Sequence, residues 1–174
     1  MAMTADEILS HPALEPSVRG QAQSLLSMQE AAPRIASVFA TQQRWLMAHA
    51  ALAQYFRSEA CDAGAGLLTE RFLEAIERHD IASRNTASAF LKEMLQYDII
   101  RTVTNSAGRR HRAFEPAPAV LAALFGWHVL HLATLDRLDG GGRVAMFNAD
   151  PALLRATEPL IADGSDRLEQ GSRA

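Results

Sequence analysis

Apolar residues recur every third or fourth position along much of this 174-residue chain, which is the spacing of amphipathic helices. The segment from Pro33 to Phe56 predicts the first helix of a core, because proline is tolerated in a first helical turn. A second helix is expected over 70–79, with Thr69 as its cap. A third is expected over 83–97, since Ser83 can cap a helix start. The pattern thus predicts three successive core helices.

Helical segments also flank this core. Residues 1–32 predict peripheral helices, and 119–139 predicts a helix that is apolar around more than one face. Such a helix must be buried on more than one side, so we expect a second subunit to cover it. The extension 140–174 predicts one short helix, Pro151 to Glu158, and a partly flexible polar tail from Asp163. Residues 33–118 would then form one domain, followed by a dimerisation helix.

A β-hairpin is predicted directly after the third core helix. A β-branched run occupies 99–104, turn-forming residues occupy 105–108, and a second run ends at Phe114. The chain as a whole has a formal net charge of -3, yet this hairpin contains no acidic residue. Its basic residues, besides His111, are Arg101, Arg109, Arg110 and Arg112. Uncompensated arginines of this kind are suited to phosphates, because each neutralised phosphate releases condensed counterions.

The third core helix has polar side chains opposite its apolar stripe. They include Arg84, Asn85, Ser88 and Lys92, and no acidic residue lies beside them along the chain before Glu93. These groups can contact base edges and phosphates from a helix in a major groove. Two helices, a turn and a basic hairpin follow in the order of a winged helix-turn-helix. We therefore expect a mainly α fold: a winged helix-turn-helix core, a small β-hairpin wing and additional N- and C-terminal helices.

The segment 83–94, SRNTASAFLKEM, resembles the recognition helix of the MarR-like winged-helix regulators. Leu68-Thr69 is similar to the start of that family's preceding helix, and Ile99-Ile100-Arg101 to its entry into the wing. The resemblance implies a dimer built from helices at both chain ends. It also implies DNA contacts at Asn85, Thr86, Ser88, Arg109 and Arg110. Ala89 departs from the family, which often has an arginine there, so specificity would rest more on the wing or on DNA shape.

Two further groups of residues are candidates for chemistry. Trp45, His49 and Trp127 could line an effector pocket, although a hydrogen-bonded core histidine is the alternative for His49. His128 and His131 lie three apart on a helix and could bind a metal, but histidines that hydrogen-bond locally are the favoured interpretation. No nucleophile, carboxylate pair or cofactor loop has a recognisable context, so neither catalysis nor a cofactor is expected.

The single cysteine, Cys61, excludes an internal disulfide framework. No signal peptide is recognisable, and no uninterrupted apolar run approaches the ~20 residues of a membrane span. These observations favour a soluble, cytoplasmic, homodimeric transcriptional regulator that binds double-stranded DNA and is not an enzyme. The alternative is a winged-helix protein-interaction module in which the acidic face of 70–80 or the C-terminal helix binds a protein.

Overall fold

The protein is mainly helical, with one small antiparallel sheet, and the computed structural model describes residues 3–31, 33–103 and 113–172. In chain order the elements are α1 (Ala5–Leu9), α2 (Leu14–Ala31), α3 (Pro33–Val38), α4 (Gln42–Cys61), β1 (Leu67–Leu68), α5 (Thr69–Arg78), α6 (Arg84–Gln96), β2 (Ile100–Thr102), β3 (Ala113–Pro116), α7 (Pro118–Asp139), α8 (Arg143–Ala149) and α9 (Leu153–Ser172). The expectation of a mainly helical fold is confirmed.

The sheet has the strand order β1-β3-β2. Strand β3 pairs with β2 as the sequence predicted, and Leu67 of β1 pairs with Phe114 on its other side. The predicted hairpin therefore has a third strand, which joins the start of α5 to the sheet. Because Leu67 and Leu68 are held extended by β3, α5 begins at Thr69 with Leu68 as its N-cap residue, and Thr69 is not the cap.

The turns after α5 and α6 share one geometry. Asp80 and Asp98 follow the C-caps of these helices, and both adopt a left-handed backbone, with φ of 52° and 55°. The next amide then bonds back across the last turn, from Ile81 to Ile76 O at 3.1 Å and from Ile99 to Met94 O at 2.9 Å. This is the Schellman arrangement, which usually employs glycine. Aspartate can supply it because its short polar side chain tolerates the left-handed region.

The predicted helix from Pro33 to Phe56 is interrupted. Helix α3 ends at Val38, and Thr41 has an extended backbone and accepts a hydrogen bond from the amide of Arg44 at 3.3 Å. A side-chain cap of this kind competes with continued helix. The apolar periodicity continues across this break, and so it did not reveal the break.

The C-terminal extension is more helical than predicted. Helix α8 was not expected, and α9 continues through Pro159 to Ser172 instead of ending at Glu158. A proline inside a helix removes a backbone hydrogen bond. Here α9 packs along α4, and Arg57 donates to the carbonyl of Pro159 at 3.3 Å and to Asp163 at 2.6 Å. These contacts hold α9 against α4 as far as Asp163.

Helix α7 corresponds to the apolar helix predicted over 119–139. Within the described ranges it is a helix long and apolar enough, by length and composition, to cross a membrane. It is not an uninterrupted apolar run, since it contains His128, His131 and Thr134. In the fold, α7 packs against α2 and α8 and buries Leu124, His128 and Leu138.

Candidate nucleic-acid interface

The start of α6 is fixed by Ser83. Its hydroxyl accepts a hydrogen bond from the amide of Thr86 at 3.3 Å and lies 2.9 Å from the Thr86 hydroxyl. The predicted cap is therefore confirmed. The buried face of the helix comprises Ala87, Phe90, Leu91 and Met94, which are positions of the predicted apolar stripe. Packing on one side and capping at one end together give α6 a defined orientation.

The opposite side of α6 is exposed and mostly polar. Asn85, Thr86, Ala89 and Lys92 are exposed, and Ser88 is half-buried. Asn85, Ala89 and Lys92 are spaced by four and three residues, so they lie along one line of the helix surface. Four of the residues predicted for DNA contact thus share the accessible side of one helix.

The prediction that no carboxylate lies beside the polar face of α6 is wrong at Arg84. Its guanidinium forms ion pairs with Glu70 and, at 3.3 Å, with Glu77, both on α5. The hydrogen bond and charge of Glu70 raise the pKa of Arg84 above its ordinary value. The sequence argument considered neighbours along α6 only, whereas these partners are brought in by the tight α5–α6 turn. Arg84 is therefore held towards α5.

Glu93, the acidic residue of α6, is also paired. Arg44 of α4 donates to its carboxylate at 2.6 Å, and the Arg44 guanidinium lies 5.6 Å from the centre of the Phe90 ring. Both side chains of this pair are largely covered, at 27% and 34% exposed. The negative charge of Glu93 is thus neutralised beside the core, which leaves the Lys92 ammonium as an exposed charge of the same helix.

Strand β2 contributes one predicted contact residue. Arg101 is exposed, and Glu115 of β3 stands opposite it in the strand register. The other predicted wing residues, Arg109, Arg110 and Arg112, lie outside the described residues. Their part in the interface therefore remains a prediction from sequence.

Trp45, His49 and Trp127 come together, as the pocket hypothesis required. The His49 ring is 4.6 Å from Trp45 and 5.4 Å from Trp127, centre to centre. Nδ1 of the buried His49 also lies 2.5 Å from Oε1 of the fully buried Glu158. An apolar cleft occurs elsewhere, between α4, α6, the sheet and the start of α7, and its lining includes Ala51, Leu52, Met94, Ile100, Pro116 and Val120.

Glu158 was missed because it was placed at the end of a short helix. A signal was present, since Leu154, Glu158 and Ile161 are spaced by four and three residues and share one face. A carboxylate on an apolar stripe implies a buried partner. His49 occupies an equivalent position among the apolar residues of α4.

The two α7 histidines bond locally, as favoured from the sequence. Nδ1–H of His128 donates to Leu124 O at 2.9 Å, and that of His131 to Trp127 O at 2.8 Å. Burial lowers the pKa of His128. Over the part of the chain that the structure describes, no three histidine, cysteine or acidic residues are arranged to hold a metal ion.

No protein-family model, curated protein or solved structure matches this chain. Its function must therefore be inferred from its own residues and their geometry.

Proposed function

We propose that this protein is a homodimeric transcriptional regulator with a winged helix-turn-helix domain, which binds double-stranded DNA through α6. The observation that carries the proposal is the exposed face of α6 formed by Asn85, Thr86 and Lys92. This face begins at a capped helix terminus directly after a tight turn from α5. Amide, hydroxyl and ammonium groups are the donors that contact base edges and phosphates in a major groove.

The order of elements supports this proposal. Helices α4, α5 and α6 surround one apolar core, and β2 and β3 follow α6 directly. In a winged helix-turn-helix the second helix of the pair enters the groove, and the hairpin contacts the flanking backbone. The connection 104–112 carries Arg109, Arg110 and Arg112, residue types suited to that second contact.

Local charge also favours DNA. The pairing of Glu93 with Arg44 neutralises the acidic residue of α6 itself. Lys92 adds an exposed positive charge to this helix, and Arg101 adds one to β2, where Glu115 stands opposite it. A chain with net charge -3 would approach DNA in one orientation, because its remaining surface repels phosphates.

Incomplete burial of the C-terminal helices supports the dimer. Leu135 of α7, Met146 of α8 and Leu160 of α9 are 39%, 64% and 67% exposed in the single chain. Apolar side chains of this size on neighbouring elements favour a covering partner. A second copy of the chain would match a two-fold symmetric DNA site.

Fluorescence anisotropy of labelled duplex DNA at two salt concentrations tests the proposal. We expect binding that weakens steeply with salt, with log Kobs falling by roughly 0.9 log units per neutralised phosphate for each tenfold rise in salt. Absence of binding at low salt, with the protein folded by circular dichroism, would refute DNA binding.

The ion pairing of Arg84 favours a second candidate function, which is protein binding through the winged-helix scaffold. The ion pairs of Arg84 with Glu70 and Glu77 present carboxylates beside the start of α6, where they would repel phosphates.

The two proposed functions predict different effects of the Glu70→Gln substitution on DNA binding. If α6 binds DNA, this variant removes one of the two carboxylates that hold Arg84 and strengthens binding by up to about tenfold at low salt, as expected for an added phosphate contact.

The matched control is Glu74→Gln, which removes the same charge from α5 at a residue that is not a partner of Arg84. It should strengthen binding less than Glu70→Gln does. Equal effects would show that only net charge matters. DNA binding by neither variant would favour the protein-interaction module.

A further inference from the structure

The side chains along the outer line of α6 differ in the groups that they can contact. Asn85, Ala89, Lys92 and Gln96 are all exposed, and they are spaced by four, three and four residues, which places them on one side of the helix. A recognition helix in a major groove contacts base edges mainly through its N-terminal turns. The first two members of this line, Asn85 and Ala89, therefore decide which bases α6 can distinguish.

The other polar side chains in the first turn of α6 are already engaged. The Arg84 guanidinium forms ion pairs with Glu70 and Glu77 of α5, and the Thr86 hydroxyl lies 2.9 Å from the hydroxyl of the capping Ser83. Arginine is well suited to guanine, because its N–H groups match the O6 and N7 acceptors. Since Arg84 is held towards α5, the described first turn of α6 offers no unpaired arginine for such a contact.

The carboxamide of Asn85 is complementary to adenine. It combines a carbonyl oxygen that accepts and an amino group that donates. Adenine presents an N7 acceptor beside an N6 donor in the major groove, so one asparagine can form two hydrogen bonds with it. Guanine presents two acceptors at the same edge, and the Asn85 carbonyl would face one of them with no hydrogen between the two oxygens. Asn85 therefore favours adenine over guanine.

Ala89 adds an apolar contact one helical turn after Asn85. Four residues advance the helix by about 6 Å, which corresponds to roughly two base-pair steps. The alanine methyl has no hydrogen-bonding group, and in the major groove it matches the C5 methyl of thymine. An adenine and a thymine methyl about two steps apart thus fit the outer line of α6.

We propose that α6 reads A·T base pairs in the major groove, with Asn85 bonding to an adenine and Ala89 contacting the methyl group of a thymine about two base pairs away. This inference deepens the proposed function and rests on it. Lys92 lies further from the capped end and contacts a phosphate. Because phosphate contacts carry no sequence information, changing the salt concentration should alter the affinity for all sequences and leave the preference for A·T pairs in place.

Anisotropy with three labelled duplexes that differ only in a central block of A·T, G·C or inosine·cytosine pairs tests this inference. Inosine·cytosine has the major-groove groups of G·C but lacks the minor-groove amino group of guanine, so its minor groove resembles that of A·T. We expect the A·T duplex to bind at least about fivefold more tightly than both others, as for one bidentate base contact.

The other outcomes separate the inference from the proposed function. Equal, salt-sensitive binding of all three duplexes would overturn the inference and leave DNA binding standing. Inosine·cytosine that binds as tightly as A·T would also overturn it, because the preference would then arise in the minor groove. Absence of binding to every duplex at low salt would overturn the proposed function and this inference together.

Variants of Asn85 locate the adenine contact. Asn85→Ala should bind the A·T and G·C duplexes with affinities within about twofold of each other, whereas Asn85→Gln should keep the preference, since glutamine offers adenine the same two groups. Asn148→Ala, at an exposed asparagine of α8, is the control and should leave the preference unchanged. A preference for A·T that survives Asn85→Ala would contradict the proposal.

Uracil in place of thymine tests the contact of Ala89. This replacement removes only the C5 methyl, so the parent protein should bind the A·U duplex about two- to fourfold more weakly than the A·T duplex, as expected for one buried methyl group. Ala89→Ser should bind both duplexes equally, while Ala119→Ser, at an exposed alanine of α7, should retain the difference. Equal binding of both duplexes by the parent would overturn the thymine contact.

Discussion

The chain has two cores of different chemistry. The first lies among α4, α5, α6 and the sheet, where Phe72 and Ile76 are fully buried among apolar neighbours. The second lies among α4, α7, α8 and α9, where apolar residues adjoin the buried Glu158. Within the described residues, none of the buried polar side chains belongs to α5, α6 or the sheet. We infer that the first core supplies a pH-independent scaffold for α6, whereas the second can respond to protons.

The largest expected effect on this comparison comes from Phe72→Ala. Phe72 is fully buried and stacks near Phe90, with ring centres 6.4 Å apart. Removing such a ring leaves a cavity and typically costs about 3–5 kcal/mol of unfolding free energy. We expect this loss in urea unfolding at both pH 7.5 and pH 6, since no described histidine is buried in α5, α6 or the sheet.

Phe147→Ala is the matched truncation in the second core. Phe147 covers the His128 ring, so its removal admits water and returns the pKa of His128 towards its ordinary value. The loss of stability should therefore be smaller at pH 6 than at pH 7.5. Equal pH dependence of the Phe72 and Phe147 variants would contradict the proposed difference between the cores.

Gly66→Ala should have the next largest effect. Gly66 has φ of 65°, and a Cβ there would lie 2.8 Å from the backbone oxygen of Phe114. Since β1 and β3 would have to separate, we expect a loss of about 3 kcal/mol, more than the 1–2 kcal/mol of left-handed strain alone. Thermal unfolding measures it.

Gly64→Ala separates strain from steric contact. Gly64 has φ of 80°, but nothing lies within 4 Å of its Cβ position. This variant should lose only about 1–2 kcal/mol. If Gly64→Ala and Gly66→Ala lose the same amount of stability, the close approach of β3 is not the reason why position 66 requires glycine.

Ser83 permits a smaller but more specific test. Ser83→Ala removes the cap of α6 and should cost about 1 kcal/mol. Ser83→Asp keeps a capping oxygen, so stability should be retained, but the added negative charge should weaken DNA binding. A Ser83→Asp variant that binds DNA as tightly as the parent would place the contact away from the start of α6.

The smallest expected effect concerns the exposed corner between α7 and α8. Arg143 bonds to Asp139 at 2.6 Å and holds the pKa of that carboxyl at about 2. Because the pKa of Asp139 is lower in the folded chain, its ionised carboxylate stabilises the fold at pH values above about 4, the ordinary pKa of aspartate. This stabilisation is lost as the pH falls from about 4 to 2. Asp139→Asn should remove that part of the acid dependence. An unchanged acid profile would assign the dependence to other groups.

Local patterns predicted the first core well. Ser83 and the stripe of Ala87 and Phe90 are encoded by neighbours within α6, and the hairpin strands follow from a β-branched run. Local patterns also predicted that a helix would follow the hairpin. The main local failure was the break before Thr41, because an apolar stripe does not reveal a side-chain cap.

Long-range contacts were not predictable in this way. Arg84 is paired by residues of α5 that the turn brings close, and His49 meets Glu158 across 109 positions of sequence. The length of α9 depends on its packing along α4 and on Arg57. In each case the sequence near either residue gives no sign of its partner. The contact forms only when the folded chain places the two residues side by side.

The most direct test of the central claim compares two double variants in DNA anisotropy at several salt concentrations. Asn85→Ala with Lys92→Ala removes the proposed contact face of α6. Arg19→Ala with Asn148→Ala removes one cation and one amide from exposed positions of α2 and α8. We predict that the α6 variant loses at least about tenfold in affinity and about one unit of salt slope, while the control does not. Equal affinities for both variants and the parent would contradict DNA binding by α6.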